Sequence, residues 1–182
     1  MCKENEDMSR SHGIPKAFLE AQGEAMGLPC VFGHASWGDY KTSFVNQLKI
    51  FKEEGIDYGV FGDMDLDTHR QWQEMVCGKV GMEALMPLWL RGREVNTRAF
   101  IDLGFKAIIT SIKLDVVGPQ YLGEVLTHNI VDAMKDDGID PSGEGGEFHT
   151  AVIDGPLFKK TITIAIENKL FGETHGFIQY KI

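Results

Sequence analysis

From residue 14 to residue 134, segments with helical spacing alternate one for one with short apolar runs, and this alternation limits the fold more than any other feature. Two strands joined through a single helix lie side by side and parallel, because the crossover returns the chain to the same end of the sheet. Ile14, Ala17, Phe18, Ala21 and Ala25 follow a helical period, with Pro15 suited to a first turn and Gly27 to a stop. A short strand is expected over 29–32. A second helix carries Tyr40, Phe44, Leu48 and Phe51 and closes at Gly55, and a second strand follows over 58–62. A third helix starts near Asp67, a candidate cap, and turns Trp72, Met75, Val76 and Val80 inward. Residues 84–89 and 105–112 read as third and fourth strands around a helix at 95–103. The pattern predicts an α/β fold with a parallel sheet layered between helices.

After a last helix near 122–134 the texture changes. Residues 150–154, 160–167 and 176–182 read as strands with no helix between them. An α/β body over 1–137 is therefore expected to carry a small β-rich region over 138–182. The formal net charge of −9, with no Lys/Arg cluster to offset it, argues against a nucleic-acid partner. Cys2, Cys30 and Cys77 are odd in number and widely spaced, which suits reduced thiols rather than disulfides or zinc ligands. No apolar run approaches the ~18 residues of a membrane span. The opening residues are acidic where a signal peptide is basic. A cytoplasmic protein without a membrane partner is expected.

The densest chemistry lies in Asp140-Pro141-Ser142-Gly143-Glu144-Gly145-Gly146-Glu147-Phe148-His149-Thr150. Gly143, Gly145 and Gly146 allow positive φ and close approach of a ligand to the backbone. Glu144, Glu147, His149 and Thr150 place carboxylates, an imidazole and a hydroxyl beside them, and the run continues into an apolar strand that gives rigid support. An ordinary surface turn shares the Gly, Ser and Asp content. It has no need of Glu-Gly-Gly-Glu, nor of His and Thr leading into a strand, so a functional loop is expected.

A second cluster runs from Phe61 to Trp72, with Gly62, Asp63, Asp65, Asp67, His69 and Arg70. Ligands of parallel sheets bind at the carboxyl ends of strands, where Asp63 falls, and helix starts such as that before His69 and Arg70 attract anions. Asp63, Asp65, Asp67 and Glu74 match the first, third, fifth and twelfth places of a calcium loop. Thr68 stands where that loop needs Gly, and a strand precedes it where a helix belongs, so the calcium reading is rejected. Trp72 reads as core. Trp89, in Met86-Pro87-Leu88-Trp89, suits either stacking on a ring or cation, or core packing. Ser111 and Asp115 are candidates to line the same sheet edge. His12, His34, His128 and His175 have no partners at ligand spacing and read as surface or capping residues.

These motifs, in this order and with Asp154-Gly155-Pro156-Leu157-Phe158 after them, resemble the diphthine–ammonia ligase (diphthamide synthase) family. The resemblance runs from about His12 to the end of the chain, and the loop at 143–150 is its most specific part. It implies a three-layer parallel sheet of the adenine-nucleotide α-hydrolase-like type. It also implies an ATP-dependent ligase that joins ammonia to the carboxylate of diphthine, a modified histidine of elongation factor 2, and releases AMP and pyrophosphate. ATP and Mg²⁺ are then the expected cofactors, with ammonia and diphthine-bearing elongation factor 2 as partners. Gly62, Asp63, His69 and Arg70 would lie at the nucleotide, and Trp89, Gly143, Gly145, Gly146 and Thr150 at the substrate. Glu144, Glu147 and His149 would be catalytic. The two glutamates suit Mg²⁺, ammonium, the quaternary amine of diphthine or a base role, and His149 suits acid/base work or donation to phosphate or carboxylate.

The superfamily opens with a strand and a Ser-Gly-Gly-x-Asp-Ser loop whose N–H groups hold the phosphates of ATP. This chain contains no such loop, and its residues 6–13 resemble the stretch after the family's second strand. The fold is therefore expected to be truncated at its N-terminus, and a non-catalytic binding module of the same fold is the alternative function. Each missing charge-assisted N–H contact is worth about 1.5–3 kcal/mol. Calorimetry with ATP and Mg²⁺ should show binding weaker than micromolar, and micromolar affinity would mean that the phosphates are held by residues not named above.

Overall fold

The structure is a computed structural model that describes residues 1–4, 7–9 and 13–182, so His12 lies outside the described residues. It divides into one unit of residues 1–16 with 31–92 and another of residues 17–30 with 93–182. No helix among the described residues is long and apolar enough to cross a membrane.

Helix α1 spans Lys16–Met26, and from Ala17 onward it belongs to the second unit. The first unit is built from α2 (Tyr40–Glu53), β1 (Tyr58–Val60), α3 (Asp67–Gly78) and β2 (Glu83–Leu85). β1 and β2 pair in parallel, Tyr58 opposite Glu83 and Val60 opposite Leu85, with α3 as the crossover. Leu48, Val76, Cys77 and Met82 form the buried cluster beneath them, with Phe44, Phe51, Phe61 and Trp72 packed on it. Burial in that cluster pushes the Cys77 thiol up from its ordinary value.

The expected strand over 29–32 does not form. Pro29 has no N–H to donate, Leu28 and Val31 are exposed, and the segment is the connection from one unit to the other. The expected strand over 84–89 is shorter, because residues 87–90 form a turn in which Trp89 N–H donates to the Met86 carbonyl at 3.1 Å. Asp67 is the first helical residue of α3, after Leu66 at the cap position, so its carboxylate meets the helix dipole rather than capping the helix.

The second unit contains α4 (Arg93–Asp102), β3 (Lys106–Lys113), α5 (His128–Asp136), β4 (Phe148–Asp154), β5 (Ala165–Phe171) and β6 (His175–Lys181). Thr127 caps α5, its hydroxyl accepting from the Ile130 N–H at 3.3 Å. The strand expected over 105–112 as the fourth of the parallel sheet is instead the antiparallel neighbour of β4 and β6, in a sheet of order β4-β3-β6-β5. Residues 107–112 are all buried. A strand covered on both faces reads as an unbroken apolar run whatever its partners' direction. Phe18 of α1 is fully buried and meets Tyr180 of β6 edge-on at 5.8 Å.

Charged groups tie α4 to α5. Arg98 donates to Glu94 at 2.9 Å and to Asp132 at 2.5 Å, and Lys135 donates to the same Glu94 oxygen at 2.9 Å. The hydrogen bond from Lys135, with that from Arg98, holds Glu94 below the usual carboxylate range. The Lys106 bond does the same for Asp154. A carboxylate whose folded pKa is depressed adds stability above its unfolded value and loses it as pH falls through the folded one. Thermal midpoints taken from neutrality down to about pH 3 should therefore fall below the ordinary carboxylate range, and Glu94→Gln should flatten part of that fall. In the core, Ile112→Ala should cost about 2–5 kcal/mol in urea unfolding, whereas Leu170→Ala on the exposed edge strand should stay within about 0.5 kcal/mol.

Candidate functional site

In the first unit the ladder of β1 extends one bond past the strand, Phe61 N–H donating to the Leu85 carbonyl at 2.9 Å. Exposed Gly62 follows, and then Asp63, whose side chain is 16% exposed. His69 and Gln73 lie one turn apart on α3 and so share a face. Asp63 Oδ1 stands 3.1 Å from His69 Nδ1, and Oδ2 accepts from Gln73 Nε2 at 3.3 Å. Arg70 takes another direction. It donates to Glu74 at 2.8 Å, an interaction that raises its pKa further, and its guanidinium lies 5.5 Å from the centre of the Trp89 ring.

Trp37, Tyr40 and Trp72 line a cavity of about 560 Å³, with Lys41, Asp63, His69 and Gln73 as its polar lining. Of the four residues expected at a nucleotide, Asp63 and His69 touch one another and face this cavity. Gly62 and Arg70 are not in its lining. Trp72, expected in the core, both packs on the buried cluster and lines the cavity. Sequence reading missed Trp37, Lys41 and Gln73, and used Tyr40 only as a marker of the second helix. The available signal was Trp37 in the turn before α2 together with Tyr40 at its start, one helical turn before Phe44.

In the second unit the glycine-rich loop hangs between α5 and β4 on Asp140. Asp140 Oδ2 accepts from Arg93 at 2.5 Å, and Oδ1 accepts from the N–H and hydroxyl of Ser142 at 2.9 and 2.8 Å. Ser142 Oγ then accepts from Glu144 N–H at 3.2 Å, and Gly146 N–H donates to the Gly143 carbonyl at 2.9 Å. Gly143 has φ +67°, and a Cβ there would stand 2.9 Å from the Phe148 carbonyl oxygen. Only glycine fits.

The far side of the loop is fixed by β3. Lys113 N–H donates to the Glu147 carbonyl at 2.8 Å, and the bulged Thr110 donates through its hydroxyl to the His149 carbonyl at 3.2 Å. His149 stands opposite Ser111 and Thr150 opposite Ile109. Glu147 Oε2 is buried and has no hydrogen-bond partner among the described residues. Glu144, Glu147, His149 and Thr150 thus share one loop and strand start, as the sequence led one to expect. Ser111 is buried in this antiparallel sheet and Asp115 is exposed beside Lys113, so neither belongs to the parallel pair.

The other histidines are accounted for locally. His128 lies 2.8 Å from Asp102, His34 lies 3.4 Å from Asp7, and His175 contacts the Thr174 hydroxyl at 2.8 Å. Adding a Cβ at position 143 should cost about 1–3 kcal/mol in Gly143→Ala, through both strain and the clash with Phe148. In Gly138→Ala, where φ is also positive but the space is open, chemical denaturation should show a smaller loss.

Comparison with known proteins places this geometry among relatives. Residues 1–84 match the family model described as diphthamide synthase N-terminal domain, and residues 93–182 match the diphthamide synthase C-terminal domain. The diphthine–ammonia ligase of Mus musculus is 33% identical over 132 residues, which are 70% of this chain and 49% of that protein. The Rattus norvegicus enzyme of the same name is 33% identical over 145 residues, 77% of this chain and 54% of its own length. The Homo sapiens one is 32% identical over 135 residues, 70% and 49%. The chain spans about half the length of these curated relatives.

Proposed function

The chain belongs to the diphthamide synthase family, and on that premise we propose that it is part of an ATP-dependent amide ligase that joins ammonia to the carboxylate of diphthine. The carboxylate stands on elongation factor 2. ATP supplies the activation that turns a poor electrophile into one that ammonia attacks, with AMP and pyrophosphate as products. The parallel pair β1–β2 with α3 is, in this reading, part of a three-layer sheet of the adenine-nucleotide α-hydrolase-like type, working in the cytoplasm.

The observation that carries the reading is the buried, partnerless Oε2 of Glu147 in a loop that the backbone holds open. A buried carboxylate oxygen without a donor costs about 1–3 kcal/mol or more, and the N–H groups of an incoming ammonium remove that cost. Glu147 holds the nitrogen and takes its proton as the new C–N bond forms. Gly145 and Gly146 are exposed, so the substrate can approach the backbone there. Thr150 and Trp89 remain in the substrate-binding set. His149 serves as acid/base, and Glu144 joins Glu147 as an oxygen donor of the kind Mg²⁺ prefers.

Around the residues expected at the nucleotide the fixed charge is mainly negative. Asp63, Asp65 and Asp67 outnumber Arg70, which is already tied to Glu74, and the N–H groups of His69 and Arg70 both donate to the Leu66 carbonyl. Lys41 is the one lysine or arginine in the cavity lining among the described residues. Asp63 suits a ribose hydroxyl or a cation, so no residue of this chain is assigned to the phosphates. The same charge balance favours a second reading, a small-molecule-binding module of this fold without catalysis.

The natural gene product containing this chain, given ATP, ammonium and diphthine-bearing elongation factor 2, should form the amide and release AMP. Glu147→Gln should lower kcat by about 10²–10⁴-fold without lowering the melting temperature. An undiminished rate in that variant would remove Glu147 from the mechanism. No AMP release with any diphthine substrate would defeat the ligase reading and leave the binding module.

A further inference from the structure

The cavity of the first unit has a chemistry of its own. Trp37, Tyr40 and Trp72 line it together as an aromatic wall, with Tyr40 5.8 Å from Trp37 at 37° and 5.9 Å from Trp72 at 42°. Trp37 is 69% exposed, an unusual position for the largest apolar side chain and one that a bound ligand would cover. Among the polar lining, Asp63 is held through both oxygens by His69 and Gln73, so its carboxylate is fixed in place. The other amide atom of Gln73, Oε1, is buried without a partner among the described residues and adds a second acceptor. Lys41, in the first turn of α2, brings one positive charge to the same cavity.

Each feature narrows the ligand. Ring faces and fixed acceptors attract an organic cation, and tryptophan does so most strongly. The three rings offer no ligand atoms to a bare metal ion, whereas an organic cation can use them. Among the described lining residues one lysine stands against one carboxylate, which gives a polyphosphate little positive charge to meet. Lys41 in turn calls for an anionic group on the same ligand. At about 560 Å³ the cavity is of small-molecule size, well above what one ammonium ion needs.

We propose that this cavity binds a betaine, a trimethylammonium group and a carboxylate borne on the same small ligand, with the cation against Trp37, Tyr40 and Trp72 beside Asp63 and the carboxylate on Lys41. The proposal rests on the ligase reading for its natural source, since diphthine carries a quaternary amine and a carboxylate, and it moves recognition of that amine from the glycine-rich loop to the aromatic cavity. The chemistry of the cavity stands without it.

The test uses the 182-residue chain with glycine betaine as the probe, followed by saturation-transfer NMR and by tryptophan fluorescence. Its isostere 3,3-dimethylbutyrate has a neutral carbon in place of the nitrogen. Betaine should bind, and the isostere should bind about tenfold more weakly if the cation is what the rings recognise. Trp37→Ala, at an exposed position that leaves the core intact, should lower betaine affinity by about the same factor. Lys41→Gln should weaken betaine and leave tetramethylammonium unchanged. Equal binding of betaine and isostere would reduce the cavity to an apolar hole and overturn the proposal. So would the absence of any response to betaine, or a response of Trp37 and Trp72 to adenosine alone. Neither ATP nor ammonia enters these measurements, so a failed ligase assay leaves them readable. An active ligase with no betaine binding would reject the cavity's role alone.

Discussion

The burial of β3 on both faces is the constraint on which the second unit depends. Residues 107–112 can lose water on both sides only if neighbouring segments take up their N–H and C=O groups: β4 does so along one edge, while on the other β6 pairs with residues 111–113 and residues 123–126 bond to Ala107 and Ile109. The bulge at Thr110 frees its hydroxyl for the His149 carbonyl, and the next N–H past the ladder, that of Lys113, fixes Glu147. The glycine-rich loop therefore starts from a strand that cannot slide without exposing the core. Its other end is set by Asp140, whose two oxygens divide between Arg93 and Ser142. A loop anchored at both ends can keep a carboxylate oxygen of Glu147 buried and unpaired, a state that a free loop would relax by turning it to water.

The first unit follows a different logic. Its parallel pair is short, and its stability comes from the cluster of Leu48, Val76, Cys77 and Met82 under aromatic side chains. Trp72 belongs to that cluster and to the cavity at once, so the packing that stabilises the unit also orients the wall of its binding site. Asp63 is poised by His69 and Gln73 from one face of α3, while Arg70 on another face is neutralised by Glu74. The Asp63 carboxylate is thus fixed at the cavity, while the guanidinium of Arg70 is tied up elsewhere and Lys41 is the cation that lines it.

Much of the candidate site was legible because it was written in contiguous residues. Glu144, Glu147, His149 and Thr150 lie close enough in sequence that any loop containing them keeps them together, and Gly143 marks a turn that only glycine can make. Asp63 and His69 were legible for the same reason, through a strand end and the helix after it. Arg93 as the partner of Asp140, and Trp37, Lys41 and Gln73 around the cavity, were not. Each depends on which face of an element meets which neighbour, and periodicity reports that a face is apolar without naming what covers it.

The sequence by itself determined the alternation of helices and strands, the helix start near Asp67, the place of the glycine-rich loop and the family to which the chain belongs. These rest on local rules: backbone propensity, turn chemistry and contiguous motifs, all decided within a few residues. Tertiary structure alone decided that residues 29–32 connect two units instead of forming a strand, that β3 pairs antiparallel, and that Trp72 serves a cavity as well as a core. A run of buried residues has the same composition whichever direction its neighbours take. The choice between parallel and antiparallel, or between packing and binding, is made by partners distant in sequence whose contact is fixed only when the chain has folded.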